Sequence, residues 1–260
     1  MALIGTLTSG ISALKSFSKG LETIGNNISN VNTSGFKTSS ASFSDMFRFT
    51  LRSSGTTDQI GAGVQVAAVS TNYAQGSLSS TGKGSDLGVS GNGYFVVQDA
   101  IGANFVTRDG AFNWDNTGNL VNAQGYRVLD DAGVPIKIAT YATATSVSIG
   151  TDGTVTAFAA DGTFTSTQKV GLLRINDETK LSRNGNNLYD FSRSGTLVTS
   201  IGTPKGGSLG SIQAGTLELS NVDLTEQFSA LINTQRSFQA SSRLITVSDT
   251  VLEDIVNLKR

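Results

Sequence analysis

The chain has 260 residues, with 19 Lys and Arg against 20 Asp and Glu, a net charge of −1 and a pI of about 5.5. That balance gives no electrostatic reason to expect nucleic acid or an anionic membrane as a partner. Cys and His are both absent, which removes disulfides, thiolate nucleophiles, the commonest general base and the commonest metal ligand together.

Read from the first residue, Leu3, Leu7, Leu14, Phe17, Leu21, Ile24, Ile28 and Val31 follow three-and-four spacing, which predicts a helix over residues 1–32 with one apolar seam. In that reading only Gly10 breaks the seam, and Ile4 and Ile11 widen it. The first basic residue is Lys15, and Gly5, Thr6, Thr8, Ser9 and Gly10 interrupt any apolar core, so no cleaved secretory signal is expected. No apolar run approaches the ~20 residues of a membrane span, so a soluble subunit without direct membrane insertion is expected.

Residues 33–85 are expected to be an extended connector. The Asn- and Gly-rich exit from Gly25 to Gly35 stops the helix, and Ser53 to Gly63 is polar; residues of this kind tolerate irregular backbone. From 86 to 212 short runs such as Tyr94-Phe-Val-Val and Tyr126-Arg-Val-Leu alternate with turn signals at Asp109-Gly, Gly118-Asn, Asp152-Gly, Asp161-Gly and Asn184-Gly, which predicts an antiparallel all-β domain. The echo of Asp152-Gly-Thr-Val-Thr in Asp161-Gly-Thr-Phe-Thr is expected to form two arms of a hairpin.

After a return connector at 213–221, residues 222–260 carry a second seam. Leu224, Leu231, Phe238, Ile245 and Leu252 recur every seven residues, with Phe228, Gln235, Ser242, Asp249 and Val256 between them. This predicts one long helix, N-capped by Asp223 with Glu226 as its capping-box partner and ending on Lys259-Arg260. The expected fold is therefore mixed α and β: long N- and C-terminal helices packed as a coiled coil, with the antiparallel β domain looped out between them. A further row, Leu244, Val247, Val251, Ile255 and Leu258, makes more surface apolar than a two-helix hairpin can cover, and neighbouring subunits are the expected cover.

The candidate chemical motifs are weak. Four Ser-x-x-Lys pairs, Ser12/Lys15, Ser16/Lys19, Ser34/Lys37 and Ser80/Lys83, lack the companion motifs of a serine acyltransferase. Gly82-Lys83 has Gly84 where a phosphate loop needs Ser or Thr. Asp130-Asp131 reads as a hairpin tip, and Asp115 to Asn119 lacks the spacing and closing acid of a calcium loop. No catalytic, metal or cofactor residue is assigned.

The segment Asn26-Asn-Ile-Ser-Asn-Val-Asn-Thr-Ser-Gly-Phe-Lys37 resembles the N-terminal signature of the bacterial flagellar rod and hook proteins, with Asn27, Asn30, Val31, Thr33, Gly35 and Phe36 as its motif residues. Gly76 to Gly82, Asp86 to Val97 and Thr107 to Phe112 are similar to the family's middle motifs; Ser220 to Phe228 with Asn221 and Val222, Gln235-Arg236 and Leu258-Lys-Arg260 are similar to its C-terminal one. Ser39 to Phe47, Gln59 to Val66 and the Asn257 to Arg260 ending look like the hook branch, in a short form without an outer domain.

The resemblance implies a non-enzymatic subunit that polymerises into the hollow helical hook and passes motor torque to the filament. A distal rod subunit is the alternative, and a secreted adhesin or hydrolase with a helical stalk a further one. Assembly contacts are expected at Leu7, Leu14, Leu21, Ile28, Leu224, Phe228, Leu231, Phe238, Ile245, Leu252 and Val256. The implied partners are further copies of the chain, rod and hook-filament junction proteins, the hook cap and the flagellar type III export apparatus. The implied place is the hook or basal body.

Overall fold

The computed structural model describes residues 2–46, 48–50, 59–139, 141, 144–159, 168–195 and 201–258. It has terminal helices and a central antiparallel β domain, arranged as two compact units: residues 1–31, 38–72 and 222–260 form the first, and 32–37 with 73–221 the second. Among the described residues no helix is long and apolar enough to cross a membrane.

In the first unit α1 spans Ala2–Ser29 and α2 spans Leu224–Leu258. Asp223 caps α2, its Oδ1 accepting from the amides of Thr225 at 2.8 Å and Glu226 at 3.3 Å, which satisfies two of the free donors of the first turn. Lys259 and Arg260 lie outside the described residues. The helices run antiparallel: Thr6 Oγ1 is 3.5 Å from Ser248 Oγ, and Asn27 Nδ2 donates to Gln227 Oε1 at 2.9 Å. Between these, a Cβ added to Gly10 would lie 2.9 Å from Ile245 Cγ1, and one added to Gly20 would lie 3.5 Å from Thr234 Cγ2.

Gly10 is thus no flaw in the seam but a point of closest approach. On α2 the side turned inward holds Gln227, Leu231, Thr234, Phe238, Ser241, Ile245, Ser248 and Leu252, all at least partly buried. In the row between, Phe228, Gln235, Asp249 and Val256 are exposed and Ser242 is partly buried. Counting apolar residues selects the wrong intermediate row because Thr234, Ser241 and Ser248 face inward at little cost. Each hydroxyl donates to the carbonyl four residues back, at 2.7, 2.9 and 2.8 Å, and each side chain is small enough for a close neighbour.

The stretch expected as a connector contains an antiparallel hairpin of Ser39–Asp45 with Val64–Thr71, bulged at Ser42/Phe43, and a short pair of Arg48–Thr50 with Gln59–Gly61. The polar Ser39–Asp45 segment has little intrinsic strand preference and is held by its partners. Ser16 Oγ on α1 donates to the Val64 carbonyl at 3.1 Å, Ser12 Oγ accepts from the Val64 amide at 3.3 Å, and the rings of Phe17 and Phe43 meet edge to face at 5.9 Å. Asn27, buried, binds both backbone groups of Ser39 at 2.7 and 3.0 Å.

In the second unit the strand Tyr94–Gln98 pairs with Asn104–Thr107, Arg127–Val128 and Leu172–Leu173 within a nine-stranded sheet. Its continuous apolar run is buried on both faces: Phe95 and Val97 lie in a cluster with Phe112, Leu120, Ile136 and Ile212, and Tyr94 and Val96 in one with Val106, Leu129 and Tyr189. Thr154–Ala159 pairs with Ala144–Ile149 on one side and Gln168–Lys169 on the other. The first Asp-Gly turn of the echo sits at Gly153 with φ 78°; the second, at Asp161-Gly162, lies outside the described residues. Returning residues Ser211–Ala214 pair with Leu87–Ser90, and Thr216–Glu218 with Leu78–Ser80, so both connectors contribute strands.

Two glycines of α1 should answer substitution in opposite ways. Gly25→Ala meets nothing within 4 Å and should stabilise by about 0.5–1 kcal/mol through helix propensity. Gly10→Leu must displace Ile245 and should cost about 1–3 kcal/mol, both read from the thermal loss of the helical circular dichroism signal.

Candidate functional site: an apolar helix flank and a buried ionic centre

On the first unit, Leu7, Leu14, Leu21 and Ile28 of α1 and Leu231, Phe238, Ile245 and Leu252 of α2 are partly buried. Leu224, expected to meet α1, is exposed, as are Phe228 and Val256. The reason for Leu224 is register: with Asn27 opposite Gln227, residue 224 falls opposite the end of α1 at Ser29. At the other end Ser248 is opposite Thr6, so Ala2 comes opposite about Leu252 and the last turns of α2 run past α1.

Two apolar patches on α2 are open, at its ends and on the side turned away from α1. One comprises Leu224, Phe228 (48% exposed) and Ile232 near its start; the other comprises Leu244, Val247 (61%), Val251, Ile255 and Leu258 (86%) near its end. Contiguous exposed apolar side chains on this scale mark interaction surfaces. Gln235 and Arg236 are exposed; Asn30, Val31, Thr33, Asn221 and Val222 are partly buried.

The second unit holds a buried ionic centre that joins the ends of its chain. Lys37 Nζ donates to Glu218 Oε1 at 2.5 Å and to the Ala74 carbonyl at 2.8 Å. Glu218 Oε1 also accepts from the Gly76 amide at 2.9 Å, and its Oε2 lies 3.4 Å from Arg108 Nη1. The side chains of Lys37 and Glu218 are 0% exposed and that of Arg108 is 4% exposed. Burial pushes the Lys37 ammonium below the usual lysine value against the opposing pull of Glu218.

The Arg108 guanidinium lies over the Tyr94 ring, 4.8 Å from its centroid, and its Nε has no hydrogen-bond partner among the described residues. Tyr94 donates to Glu178 at 2.8 Å; burial, then this bond, raise its phenol pKa.

Motif residues that are distant in sequence meet here. The Gly35 amide donates to the Glu218 carbonyl at 2.8 Å, and Asn187 Nδ2 to the Ser34 carbonyl at 2.8 Å. Arg183 donates to the Lys37 carbonyl at 2.5 Å and covers the buried Phe36 ring at 5.3 Å. Gly35, at φ 67°, would place a Cβ 2.6 Å from the Asp109 amide nitrogen, so close approach and backbone together require glycine.

Glu218 and Arg108 are not visible as a site in the sequence. The signal available was Glu218 alternating with Leu217 and Leu219, one lone acid in an apolar strand.

The other candidates are turns. Asp130 Oδ1 accepts from the Ala132 and Val134 amides at 3.0 and 2.8 Å. Asp115 accepts from the Asn116 amide and Thr117 Oγ1 at 2.7 and 2.9 Å. Gly82 sits at φ 72°, and Lys83 Nζ donates to Asn113 Oδ1 at 2.6 Å.

Three family models match the chain: the flagellar hook protein FlgE/F/G D1 domain over residues 88–157, the flagellar basal body rod FlgEFG protein C-terminal over 213–258, and the flagella basal body rod protein over 7–37. The chain is 40% identical to the flagellar basal-body rod protein FlgG of Bacillus subtilis over 99% of its own length and all of the relative. It is 35% identical to the protein of the same name from Agrobacterium fabrum, covering 88% of the chain and 89% of the relative. It is 42% identical to the flagellar hook protein FlgE of Borreliella burgdorferi, over 48% of the chain and 30% of that protein.

Asp109 gives a pH test. Burial raises its carboxyl pKa, opposed by hydrogen bonds from the Ala111 amide and Ser34. The folded unit thus holds this proton more tightly than the unfolded chain does, so ionised Asp109 costs stability near neutrality, and the cost disappears as pH falls through the folded pKa. Asp109→Asn should raise the urea midpoint at neutral pH and remove the pH dependence that this carboxyl adds as pH rises above the ordinary Asp range near pH ~4, with the fluorescence of Trp114, the chain's one Trp, as readout.

Proposed function

Because the chain belongs to the flagellar rod and hook protein family, whose members are structural components of the bacterial flagellum rather than enzymes, we propose that it is a rod subunit of the basal body, polymerising with copies of itself. The hook reading drawn from sequence has less support. Relatives named as rod proteins align with this chain nearly end to end, whereas the hook relative carries 30% of its length in the alignment.

The observation that carries self-assembly is the pair of open apolar patches at opposite ends of α2. If the patch at one end meets the patch at the other end of the next copy, the contact is heterologous and generates an open helical polymer. In this reading α1 and α2 pack as a coiled coil, and the assembly surface draws on Leu224, Phe228 and Val256 outside that seam and on Leu7, Leu14, Leu21, Ile28, Leu231, Phe238, Ile245 and Leu252 within or beside it. The neighbours would be rod, hook and junction proteins, with the hook cap acting during growth and the type III apparatus delivering the chain.

Val251→Asp with Ile255→Asp should leave a monomer by sedimentation, with Trp114 fluorescence unchanged. Polymer formed by this variant would refute the flank as the contact. Electron microscopy of the wild-type polymer separates the branches: a short straight tube supports the rod, and a curved one the hook.

A further inference from the structure

The buried centre has one carboxylate for two buried cations. Lys37, Arg108 and Glu218 come from three separate stretches of chain, with Ala74 and Gly76 adding backbone partners from a fourth. Lys37 and Arg108 belong to segments that precede Glu218 by 181 and 110 residues. Until the Thr216–Glu218 strand docks on Leu78–Ser80, both cations lack their buried counterion. Removing one member of a buried pair leaves an uncompensated charge, whereas replacing all members with neutral groups of similar volume is near neutral or stabilising.

Backbone contacts extend the same junction. The Gly35 amide binds the Glu218 carbonyl, and the Asn221 amide binds the Phe36 carbonyl at 3.4 Å. Asn221 Nδ2 binds the Ala74 carbonyl at 3.0 Å. The incoming segment at 34–37 and the outgoing one at 218–221 are thus fastened to each other as well as to the sheet.

We propose that Glu218 is a charge latch: the second unit closes only when the C-terminal segment delivers this carboxylate to Lys37 and Arg108, and closure then pins its incoming and outgoing strands in one step. The arrangement makes a chain that has not brought residue 218 home incapable of a stable imitation of the finished unit. The unpartnered Arg108 Nε fits this assignment, because the side chain is buried for its charge pairing and ring contact rather than for a complete set of hydrogen bonds.

The test uses the full chain, urea unfolding followed by Trp114, and amide exchange at Gly35 and Gly76. Glu218→Gln keeps the size and an acceptor but removes the charge; it should lower the folding equilibrium by a factor on the order of 10² to 10³. It should also deprotect Gly35 and Gly76 together. Adding Lys37→Met and Arg108→Met to Glu218→Gln should recover most of that loss. Lys37→Met with Arg108→Met alone, leaving Glu218 buried and unpaired, should be worse than the triple variant.

If the triple variant is as weak as the sum of its parts, or if Gly35 keeps full protection in Glu218→Gln, the centre is ordinary packing and the latch is overturned. Should Glu218→Gln fail to fold, recovery in the triple variant still supports the latch, and failure of both refutes it.

Discussion

The second unit depends on closing a loop of 181 residues between Lys37 and Glu218. Loop closure of that length costs about 5 kcal/mol in chain entropy, and isolated surface ion pairs do not repay such a sum. The sheet does, through strands whose two faces are both buried, such as Tyr94–Gln98. What the ionic centre adds is selectivity about where the loop closes. A buried charge left without its partner is strongly destabilising, whereas a displaced apolar contact can be replaced by another. The junction thereby holds together, within one unit, the chain segments that lead in sequence to the hairpin and α1 on one side and to α2 on the other.

The first unit solves a different problem. α2 has 35 residues, and a helix in a folded protein draws most of its stability from packing of one face rather than from propensity. It is supported by α1 through a seam of Gly10, Gly20, Thr6 and Asn27 facing Ile245, Thr234, Ser248 and Gln227. Small, self-satisfied polar side chains share that contact with Leu231, Phe238, Ile245 and Leu252, while Phe228, Val247, Val251 and Ile255 stay on the outside. Had those aliphatic and aromatic residues formed the intramolecular seam, α2 would have had little apolar surface left for other subunits. The inner face thus alternates Leu231, Phe238, Ile245 and Leu252 with small polar residues, and the apolar residues outside it are the ones the proposed polymer contact uses.

The elements that were legible in the sequence are those governed by local chemistry. Asp223 announces the start of α2, Asp152-Gly153 a turn, and the Tyr94 to Val97 run a strand. Three features depended on distant partners and were not legible. Ser39–Asp45 is a strand because Val64–Thr71 and α1 make it one. The inner row of α2 passes through Thr234, Ser241 and Ser248, which an apolar count ignores. The candidate site was split the same way: open apolar residues such as Val247 and Val251 could be read from helical spacing, whereas the meeting of Lys37, Arg108 and Glu218 has no sequence period and follows from topology alone.

The most direct test of the central claim, that α1 and α2 of one copy pair along the small-residue seam and leave the outer flank for neighbours, is a cross-link across that seam. The native chain has no Cys, so Thr6→Cys with Ser248→Cys, at a position where the native hydroxyls are 3.5 Å apart, introduces the only thiols. Mild oxidation of the dilute monomer followed by non-reducing electrophoresis and mass spectrometry should give an intrachain disulfide, in a protein that still polymerises. A disulfide that forms only between chains, or an intrachain one that abolishes assembly, would contradict the account.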